Sequence, residues 1–189
     1  MLKDMTSSKP LALVTLDVER DWVDGKYTQT PRFDLLKRAL PAFAKIAREY
    51  GIPLTLFITG EVAELCNELL MDLLDEVEVG AHTHPCFHPL VFKGRDVNDK
   101  KWDLLGAYSK EEQLQMIKRD TALITKHLGV KPIAFRAGKL SANKDTLCAL
   151  KELGYAIDSS LEKSVTLFSK VMRLRPKFDL LNFAKNMEI

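Results

Sequence analysis

The sequence predicts an α/β fold, a parallel sheet whose strands alternate with amphipathic helices. Three observations carry this. Short apolar runs recur at residues 11–18, 53–59, 77–81, 132–136 and 155–158. Helical patterns fill the intervals, at 33–50, 61–74, 110–128 and 144–153. Three of the helices stop at a glycine before the next strand: Gly51, Gly129 and Gly154. Glycine tolerates the left-handed conformation that closes a helix. Alternating strands and helices favour parallel pairing through right-handed crossovers.

The first strand is continuously apolar from Leu11 to Leu16, except for Thr15, as a sheet covered on both faces requires. It ends in acids, and alternation places Thr15, Asp17 and Glu19 on one face. Pro41 interrupts the first helix and should kink or split it. The third helix opens with a capping box, Ser109 and Glu112. Its apolar stripe runs through Leu114, Ile117, Thr121, Ile124 and Leu128. Asn143 is the expected N-cap of the fourth.

Two stretches do not follow this grammar. Residues 85–108 form a long connection with mixed charge and two aromatics, Phe92 and Trp102. Connections this long are functional or disordered. This one follows a histidine cluster, so it reads as a substrate-binding lip carrying Trp102. Residues 161–189 have weak periodicity and a basic cluster, Lys170, Arg173, Arg175 and Lys177. Such a cluster is more often a solvated face than a binding patch. The expected organisation is a polar tail over 1–10, one domain over 11–160, and a tail or the remainder of that domain over 161–189.

The richest chemistry lies between Gly80 and Pro89, which hold three of the four histidines: His82, His84 and His88. Residues two apart on a strand project to one side, so His82 and His84 can face one point. His84 and His88 are spaced for a turn. Imidazole is the commonest metal ligand, and a metal needs ligands converging from separate places. Two carboxylates at a strand end are costly if buried without a cation. Alone, the acids fit a solvated loop mouth equally well; with the histidines, a shared hydrolytic metal site explains both. In parallel α/β folds chemistry gathers at the carboxyl ends of the strands. Asp17 and Glu19 end the first strand, His82 the third, Arg136 the fourth and Asp158 the fifth.

Composition limits the alternatives. A chain of 189 residues suits one domain with a sizeable core. A net charge of +2 implies no nucleic acid or other polyanion partner. No apolar run is long enough to cross a bilayer. The first ten residues lack the apolar stretch of a secretory signal. The three cysteines, Cys66, Cys86 and Cys148, are odd in number and widely spaced. A reducing, cytoplasmic location is therefore expected. Cys66 and Cys148 lie in helical patterns, where a buried thiol is the default. Cys86 lies in the histidine loop and is an alternative soft ligand.

The chain resembles the polysaccharide deacetylase family, the NodB-homology domain of carbohydrate esterase family 4, over residues 11–160. The run from Val14 to Glu19 resembles that family's first motif, a strand ending Thr-Phe-Asp-Asp. Gly80, Ala81, His82 and Thr83 resemble the second, Gly-x-His-Ser/Thr. Phe135, Arg136, Ala137 and Gly138 resemble the third. The stretch from Leu153 to Ser160 is similar to the Gly-Tyr strand that follows. The resemblance implies a distorted (β/α) barrel and a divalent metal, usually zinc. It also implies hydrolysis of N-acetyl groups on sugars, and the expected cytoplasmic location favours a glycan precursor or a small N-acyl compound over mature cell-wall polymer. Asp17 is then the general base and Arg136 its partner; by their positions at the fifth strand's end and in the long connection, Asp158 and Trp102 are expected to bind substrate.

The departures are specific. The family's second aspartate is Val18 here, so Glu19 takes the ligand role. Four residues after His82 stands Cys86, not histidine. The pair is then His82 with His84, as in a branch whose loop reads Gly-Ala-His-x-His-Pro, or His84 with His88. The family's late histidine, a general acid, has no counterpart after His127. Five strand-like runs are also fewer than the family barrel uses, so an incomplete barrel is expected, with open edges that favour self-association. Two rival readings follow. One is a weak or inactive truncated relative. The other is an amidohydrolase or PHP-type metal hydrolase, which also opens on His-x-His. There the motif ends the first strand, whereas here it ends the third.

Overall fold

The structure, a computed structural model, describes residues 13–93 and 96–160. The expectations for 1–10 and 161–189 lie outside the described residues. Five strands form one parallel sheet: β1 (Val14–Val18), β4 (Leu54–Ile58), β5 (Val77–Thr83), β6 (Ala134–Ala137) and β7 (Ile157–Asp158). Their spatial order is β1-β4-β5-β6-β7, so each crossover steps the same way. That one-way winding belongs to a (β/α) barrel; a doubly wound sheet reverses direction. Among the described residues the barrel does not close. A separate hairpin, β2 (Trp22–Val23) with β3 (Lys26–Tyr27), follows β1.

The helices are α1 (Asp34–Glu49), α2 (Gly60–Leu65), α3 (Asn67–Met71), α4 (Pro89–Phe92), α5 (Lys110–Leu128) and α6 (Lys144–Leu153). Pro41 lies inside α1 without splitting it. The single helix expected over 61–74 is broken at Cys66, whose φ of −128° is not helical. The expected limits of α5 and α6 hold, because both ends are marked chemically. Ser109 and Glu112 close a capping box, Asn143 and Thr146 another, and Gly129 and Gly154 adopt the left-handed conformation. The α5 stripe is buried at Ile117, Ile124 and Leu128, and burial extends to Met116 and Asp120.

Strand alternation separates two faces. Leu54, Leu56, Ile58, Ala81, Phe135 and Ala137 are buried and join the main core cluster, which includes residues of α1, α2, α5 and α6. Full burial of one such leucine is worth roughly 1.5–3 kcal/mol. The register then assigns the opposite face. Asp17 pairs with Phe57, Phe57 with Gly80, and His82 with Arg136. Gly80 has a steric reason: a Cβ there would meet the Phe57 ring at 2.6 Å.

Each charged residue after β1 has its own task. Asp21 accepts from the backbone N–H groups of Leu35 and Leu36 and so caps α1, whose own N-cap, Phe33, cannot. Arg20 makes a paired contact with Glu61 at 2.8 and 2.5 Å and stacks on Phe87. It also donates to the carbonyls of Thr28 and Gln29, tying the hairpin to α2. That leaves Glu19 for the site.

Candidate metal centre

Glu19, His82 and His84 meet at the carboxyl ends of β1 and β5, with their ligand atoms within 4.8 Å of one another. Glu19 Oε2 lies 2.8 Å from His84 Nε2 and 3.6 Å from His82 Nε2. Three atoms around one cation with ~2 Å bonds sit ~3–4 Å apart, so the spacing fits. Oε2 is buried and, among the described residues, makes no hydrogen bond of good geometry. Burial works to raise the Glu19 carboxyl, but His82 and His84 outweigh it and hold it well below the usual carboxylate range.

The surroundings orient each ligand. His82 Nδ1 donates to the Arg136 carbonyl at 2.8 Å, and His84 Nδ1 donates to Asp103 at 2.9 and 3.0 Å. Both rings therefore turn Nε2 toward Glu19. An outward Nδ1–H bonded to a carbonyl or carboxylate is the usual support of a metal-ligating histidine. Tyr27 donates its hydroxyl to Glu19 Oε1 at 2.6 Å. Burial, followed by the Glu19 charge, raises the Tyr27 phenol, so it stays a donor.

Asp17 and Arg136 stand beside this group on the same face. Arg136 Nη1 donates to Asp17 Oδ1 at 2.7 Å. The guanidinium also donates to Thr15 Oγ1, Ser159 Oγ and the Ser159 carbonyl, and stacks over the Phe57 ring at 4.2 Å. Asp17 remains 41% exposed at its side chain, so water reaches it.

The geometry separates the other expectations. His88 is not in the group. Its Nδ1 accepts from the Leu90 N–H, as a helix cap, and its buried Nε2 has no partner among the described residues. It lines a small void of about 10 Å³ with Glu61, Arg119 and Asp120. Burial, then the charge of Arg119, pushes His88 down to about 4. Asp158 pairs in register with Phe135, on the helix-facing side, and its Oδ1 accepts from Ser160. The residue that reaches Arg136 is Ser159, one position on. Trp102 is half-buried and packs on the core. Its neighbour Asp103 is the part of the long connection that enters the site. Cys86 is buried, and burial pushes its thiol up to about 12.

Asp120, opposite His88 in the same void, gives a test of the packing. Burial pushes its carboxyl up to about 7, although Thr83 Oγ1 donates to it at 2.7 Å. The folded state then holds this proton after the unfolded chain has released it, above roughly pH 3.9. The stabilisation from the neutral form is complete below that value and is lost as pH rises to about 7. Asp120→Asn should remove this slope. Relative to the parent it should gain stability progressively from pH 4 to 7 and hold that gain above. Denaturant midpoints of the two proteins across pH measure this; parallel curves would show that Asp120 ionises freely.

Sequence reasoning missed Tyr27, Asp103 and Lys139. The hairpin that delivers Tyr27 was marked by Asp24-Gly25, both with positive φ, the pattern of a type I′ turn. Asn98 fixes it by hydrogen-bonding the Tyr27 backbone at both N–H and carbonyl. Nothing local marks Asp103 or Lys139.

Comparison with known proteins bears on the family and the fold. Residues 24–157 match the family model described as polysaccharide deacetylase. No curated protein matches. Among solved structures, a polysaccharide deacetylase from Mycobacterium smegmatis is 23% identical over 66% of this chain and 38% of its own, with a TM-score of 0.52. A family 4 carbohydrate esterase from Streptomyces lividans, solved with acetate, is 16% identical over 77% of this chain and 60% of its own, with a TM-score of 0.51. A CE4 family pseudoenzyme from Bacillus anthracis is 15% identical over 77% and 42%, with a TM-score of 0.55. The chain thus spans 38–60% of the length of these three. At such identities the structures speak for the shared fold alone. The family match covers most of the sequence, and on it the chain belongs to the polysaccharide deacetylase family.

Proposed function

We propose that this chain is a metal-dependent amide hydrolase that removes N-acetyl groups from a glycan or glycan precursor, with zinc as the cation. The observation that supports this most is the convergence of Glu19 Oε2, His82 Nε2 and His84 Nε2 beside the Asp17–Arg136 pair. A divalent cation held by those three atoms supplies Lewis acidity toward an amide carbonyl and a water. The chain's own residues do the rest. Asp17 takes the proton of the attacking water, through Oδ2, since Oδ1 already accepts from Arg136. Arg136 holds that carboxylate in place and, buttressed by Phe57, Thr15 and Ser159, cannot swing away. Tyr27 fixes Glu19 from behind.

Turnover is expected to be slow. Among the described residues no imidazole beyond the cluster stands by to protonate the leaving amine: His88 caps α4 and His127 lies in the last turn of α5. Such help is typically worth ~10²–10⁴ in rate. The open edges of β1 and β7, among the described residues, also favour self-association. The test is acetate release from N-acetylglucosamine oligomers, with gel filtration of the same sample. Slow release that a chelator abolishes and zinc restores is the expected result. Release indifferent to chelation, or none with zinc in stoichiometric amount, would remove this reading.

A further inference from the structure

We infer that Asp103 is the positioning residue of the metal centre, acting through His84, with Lys139 as its counter-charge. The inference rests on the metal-centre reading above. Asp103 comes from the long connection before α5 and is 0% exposed. Both its oxygens lie within 3.0 Å of His84 Nδ1. A fully buried carboxylate is costly unless it is paired and hydrogen-bonded. Here Lys139 Nζ sits 2.6 Å from Oδ2. Its side chain reaches the pocket from a turn where Lys139 and Leu140 have φ of 51° and 50°. Side chains rarely adopt that conformation, and it is held where surroundings demand it. The same turn fixes His84 from another side: a Cβ on Gly138 would meet the ring at 2.6 Å.

The arrangement does two things. Asp103 keeps the Nδ1 proton outward, so Nε2 is the nitrogen offered to the cation. The Lys139 ammonium supplies a positive charge beside Asp103 Oδ2. His84, Cys86 and Asp103 have ligand atoms close enough to hold a second cation, but the positive charge there is already supplied by the chain. The centre is therefore built for a single cation on the Glu19 side of His84.

The test uses the full chain, apo and zinc-loaded, with zinc affinity read by competition against a chromophoric chelator. Asp103→Leu removes the acceptor at similar volume, and Lys139, 31% exposed at its side chain, can turn to solvent. Zinc affinity should fall ~10–100-fold, the usual loss when an outer partner is removed. Asp103→Asn keeps an acceptor oxygen and should recover most of it. In zinc-loaded protein, the slowly exchanging Nδ1–H proton of His84 should be visible by NMR in the parent. It should shift upfield in Asp103→Asn, whose neutral oxygen accepts less strongly, and vanish in Asp103→Leu. If Asp103→Leu lowers only the apo melting temperature and leaves zinc affinity within about twofold, Asp103 is structural and the inference fails while the function stands. Should Asp103→Leu not fold, an unshifted Nδ1–H resonance in Asp103→Asn overturns it equally. A parent protein that takes up no zinc would overturn the metal-centre reading itself.

Discussion

Asp17→Asn is expected to lower acetate release by ~10²–10⁴-fold, the usual contribution of a general base, with zinc content unchanged. The substitution preserves shape and one contact, because an amide oxygen still accepts from Arg136 Nη1 as Asp17 Oδ1 does. What it removes is the ability to take a proton. Asp17 is absent from the group of converging ligand atoms, so the metal should not follow it. The paired measurements are steady-state release and zinc per chain. Loss of zinc from Asp17→Asn, with zinc kept by Glu19→Gln, would exchange the two roles. A fully active Asp17→Asn would mean that another group takes the proton.

How the carboxylates divide their work follows from where alternation ends. Thr15, Asp17 and Glu19 share a face, but β1 stops at Val18. Asp17 is still held by the sheet, where Arg136 reaches it across β4 and β5. Glu19 is past the last pairing and bends toward the end of β5. Had Glu19 occupied the position of Val18, alternation would have aimed it at the helices. A ligand two residues after the base, in place of one, is the arrangement that keeps both carboxylates on the open face.

That logic was visible in the sequence because strand period is a local property. The same holds for α5 and α6, whose ends carry capping boxes and glycines. The His82–His84 pair was legible for the same reason, being two apart on one strand. Asp158 shows the limit. Its strand is two residues long, too short for alternation to define a face, and a one-residue step exchanges Asp158 for Ser159. Asp103 reaches His84 from 19 positions away and Lys139 reaches Asp103 from 36, by side chains on irregular backbone. No periodicity governs such placement. The long connection was recognisable as important by its length alone, but only the fold shows that its buried carboxylate, Asp103, lies against His84.

Glu19→Gln and His82→Ala should each abolish stoichiometric zinc, whereas His88→Ala should retain it. Each of the first two removes one of three ligand atoms, a larger loss than the ~10–100-fold expected from an outer partner. Activity should fall at least as far as in Asp17→Asn, but for a different reason, and added zinc separates the cases. High zinc should partly restore the ligand variants by mass action and do nothing for Asp17→Asn. His88→Ala is the control for histidine choice, since its ring caps α4 and is not among the three converging ligand atoms, although the small void it lines also touches His84. Glutamine at position 19 should also leave His84 Nε2 facing a neutral oxygen, which removes the carboxylate that balances the two imidazoles. Zinc retained by His82→Ala and lost from His88→Ala would mean that the second histidine pair holds the metal, with β5 and its following turn rearranged to let it.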